Sequence, residues 1–247
     1  MFSLFKRKPS TEPTFESLGA DMHCHLIPGV DDGSTSNDVT IECLRTMQDV
    51  GFKKVYITPH FNFPRYPNEE GDIKSRYEKL KKELAEQAPD LTIELAGIAG
   101  EYRVDDGFRR HAEGDTFLKV AGKYVLVEFS LNQHRMGLLD TLFDLQMKDY
   151  EIILAHPERY PYYSLKSAEL QQLKDSGVIF QCNILSLSGF YGKHAQQKAL
   201  SYIEEGWVEM LGTDMHNVVY AHATRDASVD RTVQRVMAKY KFINNEL

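Results

Sequence analysis

From residue 20 onward, short apolar runs alternate about seven times with segments of helical periodicity, and few folds accommodate that rhythm. Runs at 20–23, 54–58, 92–98, 124–129, 151–155, 178–182 and 208–211 carry the Val, Ile, Leu and Tyr content of buried parallel strands. Between them, Val39, Cys43, Met47 and Val50 mark one helical face, capped within 34–37 and stopped by Gly51. Ile73, Tyr77, Leu80 and Leu84 repeat the pattern, as do Leu138, Leu142 and Leu145, then Leu170 and Leu173, then Ala199, Tyr202 and Ile203, then Val229, Val233 and Val236. No linker or low-complexity tract interrupts the series, so the expectation is a single α/β domain. No glycine-rich phosphate loop follows any run, which favours a barrel over an open nucleotide-binding sheet.

The residues that close these runs are polar. The first ends in His23-x-His25, and side chains two apart on a strand share a face. His60 closes the second, Glu101 follows the third, Glu128 ends the fourth, His156 and Arg159 follow the fifth, and Asp214 and His216 follow the seventh. Asp31 and Asp32 arrive on a Gly- and Pro-containing turn just after the first strand. Histidines and carboxylates are costly to bury unpaired, yet here they gather where the strand ends of a parallel barrel would converge. Five imidazoles and about four of these carboxylates exceed what one ion can use, so two or three ions sharing a bridging carboxylate are expected. Mixed nitrogen and oxygen ligands suit Mn, Fe or Zn better than Ca. Such a site activates water and neutralises phosphoryl oxygens, which points to phosphoester hydrolysis.

Composition narrows the field. With 29 basic against 36 acidic residues, the net charge of −7 argues against a general nucleic-acid or anionic-membrane surface. The three cysteines, Cys24, Cys43 and Cys182, are too few and scattered for a disulfide framework, and none begins the C-x5-R spacing of a thiolate phosphatase. No apolar run reaches transmembrane length, the N-terminal apolar run is too short for a signal peptide, and the expected location is cytoplasmic. Residues 1–18 read as a flexible polar tail ahead of a domain spanning 19–247, and residues 2–8 offer a weak membrane- or partner-docking segment.

Taken together, His23-x-His25, Thr-Pro-His60, Gly-Glu101, Val-Glu128-Phe-Ser, Ala-His156-Pro-Glu-Arg159-Tyr and Thr-Asp214-Met-His216-Asn resemble the polymerase-and-histidinol-phosphatase (PHP) superfamily. The wording around Asp31 and Asp32 resembles its bacterial protein tyrosine phosphatase branch, associated with capsular and exopolysaccharide synthesis. The resemblance implies a distorted TIM-like (β/α)7 barrel with a trinuclear, commonly manganese-dependent site. It implies that His23, His25, Glu101 and Asp214 hold a first ion, that Glu101, Glu128 and His156 hold a second, and that Asp32, His60 and His216 hold a third. It further implies attack on phosphotyrosine by a metal-bridged hydroxide without a covalent enzyme intermediate, with Arg159 clamping the phosphate. The physiological substrate it implies is a bacterial tyrosine kinase of polysaccharide export. The family's arginine after Asp-x-His-Asn falls later here: Arg225 reaches the phosphate, or His222 takes its place, or Arg225 is a surface residue.

Segment 61–67, with its Phe and Tyr residues and Arg65 at its edge, is a candidate wall for the phosphotyrosine ring, and 129–135 and 159–163 are placed similarly. Arg103, Arg109, His111, His134 and His194 read as surface residues. Two alternatives share the ligand set: a small-molecule phosphatase, such as one acting on histidinol phosphate, and a non-catalytic metal-binding module. The oligomeric state is not legible.

Overall fold

Among the described residues, nine strands, each paired in parallel with its neighbours, line up along the chain: β1 (Ala20–Asp21), β2 (Lys54–Ile57), β3 (His60–Phe61), β4 (Glu94–Ile98), β5 (Glu101–Arg103), β6 (Tyr124–Glu128), β7 (Glu151–Ala155), β8 (Ile179–Asn183) and β9 (Val208–Gly212). They come from a computed structural model that describes residues 14–105, 107–134 and 137–247. Hydrogen bonding divides them into β1-β2-β4 and β3-β5-β6-β7-β8-β9, but the two sheets are parts of one ring. β3 continues β2 beyond Pro59, which has no N–H to give to a ladder, and β5 continues β4 beyond Gly100. Bonds from Ala99 N to the Ile57 carbonyl (2.9 Å) and from Glu101 N to the Pro59 carbonyl (3.0 Å) carry the pairing across the break. The ring closes where Cys24 bridges Met215, with His25 N donating to the Met215 carbonyl and Asp214 N to the His23 carbonyl, both at 2.8 Å. Seven strand positions result, as expected for a distorted (β/α)7 barrel.

Helices cover the outside: α1 (Asn37–Asp49), α2 (Glu70–Gln87), α3 (Phe108–Gly114), α4 (Leu138–Gln146), α5 (Ala168–Asp175), α6 (Ile184–Leu187), α7 (Lys193–Glu204), α8 (Val218–Val229) and α9 (Arg231–Lys239). Side-chain caps fix several starts, including Ser36 on α1, Ser167 on α5 and Asp230 on α9.

The period-2 alternation of the strands sorts their residues into two cores. Leu126, Ile153, Ala155 and Met210 belong to the smaller cluster, with Ala20, Met22 and Ala99. Val125, Val127, Ile152, Leu154 and Leu211 belong to the larger cluster shared with the helices. Glu128 has the same parity as Tyr124 and Leu126 of the smaller cluster, so the alternation that fills the barrel also points this carboxylate inward at its mouth.

Several boundaries are corrected. The third strand begins at Glu94 rather than residue 92, and the first ends at Asp21, short of the histidines. The tail does not extend to residue 18: Phe15 and Leu18 are fully buried, Phe15 stacks on Phe52, and Phe15 N donates to the Val50 carbonyl at 3.0 Å. Residues 14–18 are therefore part of the domain, while the docking idea for residues 2–8 lies outside the described residues. No helix among the described residues is long and apolar enough to cross a membrane.

Candidate metal centre

At the carboxyl ends of the strands, the groups singled out in the sequence meet around one carboxylate. Glu101 Oε1 lies 3.2 Å from His23 Nε2 and 3.3 Å from His156 Nε2. Its Oε2 lies 3.4 Å from His25 Nε2 and 2.9 Å from His60 Nδ1. Asp214 Oδ1 is 3.4 Å from each of His23 Nε2, His25 Nε2 and His216 Nδ1. Glu128 Oε1 is 3.4 Å from His60 Nδ1, and Asp32 Oδ1 is 3.3 Å from His60 Nε2 and 3.7 Å from His216 Nε2.

Backbone lacing sets this density. The bonds that close the barrel bind the His23-x-His25 segment directly to Asp214-x-His216, so four of the groups arrive on two adjacent segments. Gly212 makes the approach feasible: a Cβ there would stand 2.9 Å from His23 Cβ and 2.8 Å from Gln181 Nε2.

The groups are buried and largely unbonded. His23 Nε2, His25 Nε2, His60 Nδ1, His156 Nδ1 and both Glu101 oxygens have no hydrogen-bond partner. Buried polar atoms are rarely left so, and carboxylates this far from water need a counter-charge. Four overlapping trios place their donor atoms within 4.8 Å of one another: His23, His25 and Glu101; His23, His156 and Asp214; His60, Glu101 and Glu128; and His25, His60 and His216. Inward-facing nitrogen and oxygen donors at this spacing fit divalent cations. In these trios Glu128 stands with His60, whereas the family resemblance pairs it with His156.

A surrounding layer orients the imidazoles. Gln181 Oε1 accepts from His23 Nδ1 at 2.8 Å, and the Asp214 carbonyl accepts from His216 Nδ1 at 2.8 Å, so in both rings the Nε2 lone pair is left for the centre. Gln181 Nε2 donates to Asn183 Oδ1 (3.0 Å), and Asn183 Nδ2 and Arg159 Nη1 donate to Asp214 Oδ2 (2.8 and 2.7 Å).

The two neighbouring aspartates divide their roles. Asp31 accepts from His25 Nδ1, Gly33 N and His60 N at 2.9–3.0 Å, holding the loop from behind. Asp32 is the one that faces His60 and His216.

Without cations, protons balance the charge. Burial opposes protonation of His23, but the Glu101 and Asp214 carboxylates outweigh it and push its pKa up to about 10. His60 is likewise raised against its burial by Glu101 and Glu128. Burial also works against ionisation of Glu101 and Asp214, yet His23, His60 and His216 hold these carboxyls well below the usual range. His216 goes the other way: burial, then His25, pushes it down to about 4. A metal ion would take the place of these protons.

A cavity of about 240 Å³ opens onto the centre, and Asp32, His60, Glu128, His156, Asp214, His216 and Arg159 line it. Arg225 is not among its lining residues. On α8 it donates to Thr46 Oγ1 at 3.2 Å and sits 3.6 Å from Asp49 on α1, so the surface alternative is the one observed. His222 is exposed beside Glu42. The side chain of Arg225 is kept from the mouth because α8 packs against α1.

Arg103, read from sequence as a surface residue, lines the cavity and gives both Nε and Nη2 to Glu128 Oε1, at 3.0 and 2.9 Å. Its signal was its place two residues after Glu101, on the same strand face. Gln181 and Asn183, polar residues alternating at the end of β8, were also missed. Of the proposed ring walls, Tyr66 stacks on His60 (5.5 Å, 11°); Tyr220, which lies outside those segments, lines the cavity as well and is 5.2 Å from His216. Phe61, Phe129 and Tyr163 instead pack the barrel rim.

A family model for capsular polysaccharide synthesis, CpsB/CapC, matches residues 19–243. The tyrosine-protein phosphatase YwqE of Bacillus subtilis (strain 168) is 30% identical over 203 residues, covering 80% of this chain and 77% of that protein. The tyrosine-protein phosphatase CpsB of Streptococcus pneumoniae is 25% identical over 203 residues, covering 80% and 83%. Among solved structures, one chain from the crystal structures of YwqE from Bacillus subtilis and CpsB from Streptococcus pneumoniae, unique metal-dependent tyrosine phosphatases, matches with a TM-score of 0.75 at 23% identity, over 90% of this chain and 96% of that one. Histidinol phosphate phosphatase from Lactococcus lactis, complexed with zinc, L-histidinol and phosphate, matches with a TM-score of 0.52 at 14% identity, over 91% and 95%. At these identities the structural matches speak for the fold, a distorted TIM-like barrel, and the family model speaks for descent. This chain belongs to the capsular polysaccharide synthesis CpsB/CapC family.

Proposed function

We propose that this chain is a metal-dependent protein tyrosine phosphatase that hydrolyses phosphotyrosine without a covalent enzyme intermediate. The observation that carries the reading is Glu101: a fully buried carboxylate, neither oxygen hydrogen-bonded, with two imidazoles facing each oxygen. That is the arrangement of a carboxylate shared between cations.

Residues His23, His25, Glu101 and Asp214 would hold a first ion. Glu101 and Glu128 would hold a second with His156 or His60, and Asp32, His60 and His216 a third; manganese is the proposed metal, with iron or zinc as the other candidates. Bound divalent cations supply Lewis acidity, lowering the pKa of water and neutralising phosphoryl oxygens. Arg159, fixed by Asp214 and lying over the Tyr191 ring at 4.2 Å, would clamp the phosphate with its guanidinium. Gln181 and Asp31 hold His23 and His25 in place. A tyrosine phenol has a pKa of about 10 and leaves far more readily than an alkoxide, so no strong general acid is demanded.

Cysteine chemistry has no place in this site. Cys24, between two inward histidines, points to the opposite face and lies 3.5 Å from the Tyr56 carbonyl. Burial, with Glu42 beside it, pushes the Cys43 thiol up to about 12, and burial holds those of Cys24 and Cys182 high as well.

Relatives named tyrosine-protein phosphatases support the substrate class, and the family's capsular role supports an autophosphorylated bacterial tyrosine kinase in the cytoplasm as the physiological target. The test is hydrolysis of a phosphotyrosyl peptide against histidinol phosphate, each with Mn²⁺. Strong preference for the peptide is expected; preference for histidinol phosphate would establish the small-molecule alternative.

A further inference from the structure

Three guanidiniums line the cavity, and two are already engaged by carboxylates of the centre. Arg103 gives two N–H groups to Glu128, and Arg159 gives one to Asp214; their side chains are 22% and 19% exposed. Arg65 differs. It is 64% exposed, and its nearest carboxylate oxygen, Asp32 Oδ2, is 3.6 Å away, outside hydrogen-bond distance. A guanidinium carries five N–H donors in a fixed fork, and this one stands at the mouth with no hydrogen bond to protein among the described residues.

Its position is nevertheless fixed. Asn62 and Tyr66 exchange backbone hydrogen bonds (3.1 and 2.6 Å), closing a tight loop with Arg65 at its tip. Asn68 Nδ2 ties that loop to the His60 carbonyl (2.7 Å) and to the Val30 carbonyl (3.1 Å). The Arg65 guanidinium lies over the Tyr66 ring at 4.9 Å, and Tyr66 stacks on His60. Cation, phenol ring and imidazole thus form one layered wall from the rim to the centre. Asp32 spans it, with Oδ1 toward His60 and His216 and Oδ2 toward Arg65.

We infer that Arg65 is a substrate-binding residue, which receives the phosphoryl oxygens of an aryl phosphate entering between Tyr66 and Tyr220. This rests on the phosphatase reading above. Asp32 holds the guanidinium in line without consuming its donors, so the preorganised fork meets the dianion at the entrance and Arg159 meets it deeper in the cavity. Because the contact forms on binding and persists at the transition state, it contributes to KM rather than kcat.

The test uses the metal-loaded full chain, Arg65→Met and Arg65→Lys, with a phosphotyrosyl peptide and p-nitrophenyl phosphate as substrates and inorganic phosphate as competitor. For Arg65→Met, KM for both esters and the phosphate inhibition constant are expected to rise roughly tenfold, with kcat within about twofold of wild type. Bound metal by elemental analysis should be unchanged, and Arg65→Lys should recover part of the loss. Unchanged constants would overturn the inference, as would a KM increase confined to the peptide, which would make Arg65 a contact to peptide rather than phosphate. Loss of bound metal would also overturn it. If wild-type protein hydrolyses neither ester, the phosphatase reading fails, and calorimetric phosphate binding to wild type and Arg65→Met still decides the role of Arg65.

Discussion

Gln181 shows how one side chain sets the chemistry of another. It holds His23 Nδ1 with its carbonyl oxygen and reaches Asn183 with its amide, so the His23 tautomer depends on it. Replacing Gln181 with Leu should weaken metal affinity by about 10–100-fold, the usual cost of losing an outer partner of a metal-bound histidine, measured by competition with a chelating dye. Unchanged affinity would mean that His23 is not a ligand. His23 also yields a pH signature. Its pKa in the folded, metal-free chain, about 10, lies above the ordinary 6.5. Its stabilising contribution is therefore complete below pH 6.5 and lost as pH rises toward 10. The chelated protein should lose thermal stability across that window, whereas the Mn²⁺-loaded protein, with His23 deprotonated, should not. At this scale the inward histidines and carboxylates were legible because such residues stand out at the ends of apolar runs. Arg103 and Gln181 were not, because a lone Arg or Gln at a strand end has many ordinary explanations.

The elements divide in the same way. Long runs such as β6 and β7, and helices with full apolar stripes such as α2, are plain from periodicity, which reports one face repeatedly sampled. β3 and β5, of two and three residues, offer too few alternations to register, and Pro59 and Gly100 separate them from the strands they extend. The short α3 carries only Phe108 fully into the core. The N-terminal boundary failed for a related reason: Phe15 and Leu18 sit in a polar stretch with no periodicity, and only the folded partners Phe52 and Val50 reveal them as core. Phe15→Ala should therefore cost about 3–5 kcal/mol of stability, read by denaturant unfolding, where a mobile tail residue would cost nothing measurable.

At the scale of the whole molecule, the barrel and its site are one construction. The first and last strands meet through the same backbone bonds that place His23, His25, Asp214 and His216 side by side. Closing the ring thus assembles the ligand set, and ions bound there would staple the two ends of the chain together and stabilise the closed state by mass action. The seven-fold rhythm and the polar strand ends made this architecture legible from sequence. The loss of Arg225 from the mouth was not, since it depends on how α8 packs against α1. The most direct measurement is metal add-back: phosphotyrosyl-peptide hydrolysis by chelated, metal-free protein titrated with Mn²⁺, with bound metal counted in parallel. The expected result is no turnover without metal and activity rising in step with two to three ions bound per chain, abolished in Glu101→Gln. Turnover that persists without metal, or a phosphotyrosine-derived phosphate trapped on Cys24, would contradict it.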